Sequence, residues 1–101
     1  MHHKTVESLK NKMEKLDQQL TKIEKEINTY MVKLEKEGYE NIQIKSENWI
    51  EKDGIAQTEE IAFKEENFNL LLAVRQCIFW EHYDKEYQKI LKKLDEAGEM
   101  F

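Results

Sequence analysis

Along the first third of the chain, Val6, Leu9, Met13, Leu16, Leu20, Ile23, Ile27, Tyr30 and Leu34 follow one another at alternating steps of three and four. Such steps gather every apolar side chain onto one stripe of a helix, and polar residues fill the rest. The pattern predicts a coiled-coil-like helix over residues 5–37, whose seam is about 42 Å long at 1.5 Å per residue. Gly38 is placed to end it. After Gly38 the period changes to two. Ile42 and Ile44 alternate with polar residues, Asp53-Gly54 is a hairpin turn signal, and Ile55, Ile61 and Phe63 follow on alternate positions.

That alternation predicts a β-hairpin over about residues 41–63, with Lys52 facing Ile55, Ile50 facing Gln57 and Ile44 facing Phe63. Ile42, Ile44, Ile61 and Phe63 then share one face. A competing reading turns helical at Thr58, because Thr58-Glu59-Glu60 has the form of an N-cap followed by acids in the first turn. The hairpin is the favoured reading. A second helix is expected over about 64–97, closing at Gly98. Its centre, Leu70 to Trp80, has nine apolar residues out of eleven, with Leu72 and Phe79 on one side and Leu70, Val74 and Cys77 roughly opposite. Such a helix needs partners on more than one side. The second half narrows to Tyr83, Tyr87, Ile90 and Leu94, which suits antiparallel packing along the first helix.

The fold class expected is therefore mainly α: two long antiparallel helices joined by a small β-hairpin, in one domain spanning residues 1–101. A core this small and a central run this apolar also predict a homo-oligomer, with Leu9, Met13, Leu16, Leu20, Ile23, Ile27, Leu71 and Ile78 as its seam.

The charge is uneven. The net charge is −5, and residues 38–66 hold three lysines against eight acids. This acidity disfavours non-specific nucleic-acid binding and suits a basic partner protein. No segment is suited to a signal peptide or a membrane span, so a cytoplasmic protein without a membrane partner is expected. His2-His3 are either native or a tag remnant, and no reading rests on them. Cys77, the single cysteine, sits inside the apolar run as a small buried hydrophobe.

The candidate chemistry is sparse. His82 and Glu86 stand four apart on one helix face, which is a fragment of a metal site rather than a site. No phosphate loop, nucleophile elbow or cysteine–histidine signature is present. No enzyme, no catalytic residue, no metal and no cofactor are expected. Arg75 is the only arginine. Either it pairs with a carboxylate such as Glu60, Glu65 or Glu81, or it binds an anionic nucleotide ligand while Phe79, Trp80 or Tyr83 stacks on the base. Trp49 and Ile50, ringed by Glu47, Glu51 and Asp53, form an aromatic anchor with an acidic rim, a pattern of partner-binding hot spots. Alternatively Trp49 folds back onto the helices.

Ile61-Ala62, then Leu70-Leu71, then Arg75 resembles the helical-hairpin phage proteins that sequester cyclic nucleotide immune signals, the anti-CBASS and anti-Thoeris sponges. In that family an Ile-Ala pair precedes a Phe-Met pair and a basic residue at comparable spacing. Lys64 stands where the family prefers threonine, Asn69 where it prefers a small residue, and Leu70-Leu71 replace Phe-Met. The helix, hairpin, helix order also resembles a prefoldin subunit, without that family's uniformly amphipathic helices. The function expected is a non-catalytic oligomeric interaction protein, of phage or mobile-element origin by its Lys/Glu/Asn/Ile-rich composition, that binds and inhibits or sequesters a host factor. The alternatives are a sponge for an anionic nucleotide signal and a purely structural coiled-coil scaffold.

Overall fold

The structure, a computed structural model, describes residues 3–45 and 49–98. Two long helices, α1 (His3–Lys36) and α3 (Phe68–Glu96), lie antiparallel. Between them in sequence come β1 (Ile42–Lys45), β2 (Trp49–Lys52), β3 (Ile55–Ala56) and the short α2 (Glu59–Lys64). The result is a rod of 53 × 20 × 19 Å.

The seam residues of α1 are spent inside the chain. Val6 and Met13 pack with Ile90 and Leu94 at one end of the rod. Leu20, Ile23, Ile27 and Leu34 pack with Leu70, Leu71, Val74, Cys77 and Trp80 toward the other. Tyr87 touches both clusters. The helix ends as its sequence demands. Gly38 takes φ 90°, Tyr39 N–H donates to the Leu34 carbonyl at 3.1 Å and Gly38 N–H to that of Glu35 at 3.0 Å. This is a Schellman closure.

The middle segment departs from a simple hairpin over 41–63. It is a three-stranded antiparallel meander, β1-β2-β3, followed by a helix. The turn signal holds: Asp53 and Gly54 both have positive φ, 53° and 79°, as a type I′ turn requires, and Lys52 pairs with Ile55. Gln57 N–H donates to the Ile50 carbonyl at 2.9 Å, so this pairing also stands. Ile44, however, pairs with Ile50 and not with Phe63. The return strand stops at Ala56 because Thr58 caps α2. Its Oγ1 accepts from Ile61 N–H at 3.2 Å, and Glu59 and Glu60 occupy the favourable first turn. Helical geometry then turns Ala62 inward and leaves Phe63 64% exposed, so the shared strand face of Ile42, Ile44, Ile61 and Phe63 does not form.

The last helix begins at Phe68 rather than near residue 64. Glu66 adopts φ 53°, which breaks the helix, and Asn67 starts the next one by accepting Leu70 N–H on Oδ1 at 3.0 Å. The asparagine does more than cap. Its Nδ2 donates to Glu37 Oε2 at 2.9 Å, and Asn69 Nδ2 donates to Glu37 Oε1 at 2.6 Å. The end of α1 and the start of α3 are thereby tied through one carboxylate.

Candidate functional site

Among the described residues, large exposed hydrophobics occur at Val32, Ile55 and Phe63, and three more, Phe68, Ile78 and Phe79, gather on the outer face of α3. At 100° per residue Phe68, Leu72, Arg75 and Phe79 form a stripe about 180° away from Leu70, Val74 and Cys77. The inner stripe is core. On the outer flank Phe68 is 70%, Phe79 51% and Ile78 47% exposed. Tyr30 of α1 and Glu59 of α2 line a groove along this face together with Leu72, Arg75 and Gln76.

Arg75 points out of the core and pairs with a carboxylate. The partner is Glu59, whose Oε2 accepts from Nε at 3.4 Å. Each of the three acids expected for it is engaged elsewhere: Glu60 with Lys64 at 3.3 Å, Glu65 with Lys52 at 3.4 Å and Glu81 with Lys85 at 3.1 Å. The break at Glu66 sets α2 at its own angle, and that angle brings Glu59 rather than Glu60 to Arg75. Both members are about half exposed, so the pair positions the guanidinium more than it stabilises the fold.

The aromatic set expected beside Arg75 is split by the helix. Phe79 is on the open face. Trp80, only 6% exposed, is turned into the core and donates Nε1–H to Glu24 Oε1 at 3.1 Å, so it is not placed to stack on a ligand. One residue further along a helix is a rotation of 100°, which explains why neighbours in sequence have opposite fates. Tyr83 is half-buried, edge-on to His82 with centroids 5.4 Å apart.

The acidic patch expected near the turn is also divided. Glu47 and the side chain of Trp49 lie outside the described residues. Ile50 is 1% exposed and belongs to the core beneath α3, so it is not part of an open hot spot. Glu51 is half-buried within β2. Asp53 is exposed at the β2-β3 turn and accepts from Asn41 Nδ2 at 3.1 Å.

Of the residues expected in an oligomer seam, Met13, Leu20, Ile23, Ile27 and Leu71 are buried within this chain, Leu9 and Leu16 pack at the edge of the core, and Ile78 alone is exposed. Among the described residues no three or more of His, Cys, Asp and Glu are grouped as metal ligands. No helix among them is long and apolar enough to cross a membrane.

A second cleft lies beside the groove, lined by Ile50, Gln57, Val74, Cys77 and Ile78. Gln57 is buried. Its Nε2 donates to the Ile55 carbonyl at 2.8 Å, while its Oε1 has no partner among the described residues. Burial also pushes the Cys77 thiol up from its ordinary 9.0 to about 11. Stability from the neutral thiol is complete below pH 9 and is lost as pH rises toward 11, because only the unfolded chain releases its proton in that window. Two results are expected. At pH 8 the native thiol reacts with a disulfide reagent at least about 100-fold more slowly than in denaturant, and the melting temperature declines between pH 9 and 11 in the wild type by more than in Cys77→Ala.

Phe68, Leu72 and Glu59 are not among the site residues to which the sequence points, although it places Leu72 beside Phe79 and Glu59 in the first turn after Thr58. The spacing of four, three and four from Phe68 through Leu72 and Arg75 to Phe79 was the available signal. It is a second heptad stripe on a helix already carrying one.

The class that fold and site define is a helical hairpin bearing a three-stranded antiparallel sheet and a partly apolar helix face left exposed among the described residues. No family model matches the chain, and no curated protein or solved structure matches it.

Proposed function

We propose that this is a non-catalytic, self-associating interaction protein that binds a basic host protein and holds it out of action. The observation that carries the reading is the outer flank of α3, where Phe68, Phe79 and Ile78 stand exposed along a helix whose opposite side is core. A helix apolar on two sides is built for two partners, and α1 occupies only one of them. The acidic segment, residues 38–66, supplies the second element. Its sheet and α2 sit at the Leu34–Leu70 end of the rod, away from the Val6–Leu94 end. Self-association through the α3 face keeps that acidic end available, and its charge favours a basic partner through steering and complementarity.

The test is native mass spectrometry of the protein isolated from a host-like lysate, with Asp53→Lys and Glu60→Lys as a charge-reversed control. A retained basic polypeptide that is released by salt, and that the control fails to retain, supports the reading. A fixed extra mass of a few hundred daltons per site overturns it in favour of an anionic nucleotide ligand held by Arg75 and Phe79. A bare oligomer overturns it in favour of a structural scaffold.

A further inference from the structure

The geometry points to a second copy of this chain as the occupant of the α3 outer face, packed across a two-fold axis with the two α3 helices antiparallel and Arg75 of each set over Phe79 of the other. The inference rests on the self-association half of the proposed function and names the partner at that surface.

Three observations lead there. The first is area. The protomer exposes 7138 Å², roughly 1,000 Å² more than the ~6,100 Å² expected for a compact monomer of its mass. A standard interface removes about 800 Å² from each partner. The excess, to which the 53 × 20 × 19 Å rod shape contributes, is of the size that one such contact covers. The radius of gyration, 17.0 Å, likewise exceeds the ~13 Å of a compact domain of this length.

The second observation is pattern. Phe68, Leu72, Arg75 and Phe79 lie on the a and d positions of a heptad, continued by His82 and Glu86. That is the spacing with which one helix meets another along a shallow crossing.

The third is direction. A parallel pair would set Arg75 against Arg75 and bring the two α2 helices, each flanking the N-terminal half of its α3, to the same level. An antiparallel pair avoids both. With the axis level with residue 77, Arg75 faces Phe79 of the other copy, Leu72 faces His82 and Phe68 faces Glu86. The two arginines then separate by four residues, about 6 Å along the axis, and each guanidinium meets an aromatic face. Glu59 stays beside its own Arg75 and holds it toward the partner.

The experiment uses the full chain. Sedimentation equilibrium is expected to show a dimer, and Phe79→Glu to raise the dissociation constant at least about 100-fold while circular dichroism stays that of the wild type. Direction is read by introduced cysteines, with Cys77→Ala as the background. In the antiparallel pair two copies of Phe68→Cys lie about 27 Å apart at 1.5 Å per residue, far beyond the ~7 Å limit for a disulfide. Mixing Phe68→Cys with Glu86→Cys is therefore expected to give a disulfide-linked heterodimer, and Phe68→Cys alone none. A monomer at all concentrations, a dimer indifferent to Phe79→Glu, or self-linkage of Phe68→Cys overturns the inference. These failures differ from failure of the functional reading. A monomer that still retains a basic polypeptide through its acidic end keeps partner capture and removes only the second copy, whereas a dimer that retains nothing does the reverse.

Discussion

Replacing Leu70 by alanine is expected to lower the unfolding free energy by about 3 kcal/mol, within the 2–5 kcal/mol range for fully buried leucines. Leu70 is 0% exposed and lies in the larger core cluster with Leu34, Ile50 and Ala62. It is the first buried residue of α3, and its amide is also the one that Asn67 caps. The void would open where α1, β2, α2 and α3 converge, so relaxation from one side cannot fill it. For a chain of 101 residues a loss of this size lowers the melting temperature by on the order of 15 °C. The informative control is Phe68→Ala, two residues earlier on the opposite flank. As an exposed side chain it should change the stability of the monomer by less than about 0.5 kcal/mol. Guanidinium titrations of both variants, made at a concentration where the protein is monomeric, read the difference. Similar losses in the two would mean that the faces of α3 have been assigned wrongly.

Asn67→Ala carries the second large effect, expected at about 2 kcal/mol. Loss of an N-cap alone costs about 1 kcal/mol. The same side chain also donates to the Glu37 carboxylate, and charge-assisted bonds of this kind exceed neutral ones. Asn67→Asp separates the two contributions. It retains an oxygen for Leu70 N–H but sets a second negative charge against Glu37, so the cap survives while the tie between α1 and α3 is lost. A double-mutant cycle with Glu37→Ala is expected to show a coupling of about 0.5–1 kcal/mol. Additivity within error would show that the Asn67–Glu37 contact contributes nothing to holding the two helices in register.

How much of this was legible beforehand differs from element to element. The first helix was readable almost to the residue, because a 3-4 repeat without proline or internal glycine has one low-energy solution and Gly38 has one way to end it. The Asp53-Gly54 turn and the pairing of Lys52 with Ile55 were readable for the same reason: two consecutive positive φ values leave little choice of register. Residues 58–63 were not. Alternation of Ile61 and Phe63 spoke for a strand and the Thr58 cap for a helix, and local preferences of similar size do not decide between them. The decision fell to packing, since the helix buries Ala62 and releases Phe63.

The candidate site shows the same division. The sequence by itself determined that α3 would be apolar on more than one side over Leu70 to Trp80, that Cys77 would be an inert core residue, and that the middle of the chain would be acidic. Each follows from composition and spacing within one element. Only the tertiary structure decided which side of α3 is covered. It placed Trp80 inward against Glu24 and Phe79 outward, paired Arg75 with Glu59 across a break at Glu66, and buried Ile50 where an exposed anchor was expected. A helix apolar on two sides has two equivalent ways to face its partner as far as periodicity is concerned. The choice depends on how the rest of the chain fits against it, and that fit is a property of the assembled core, which no single stretch of sequence contains.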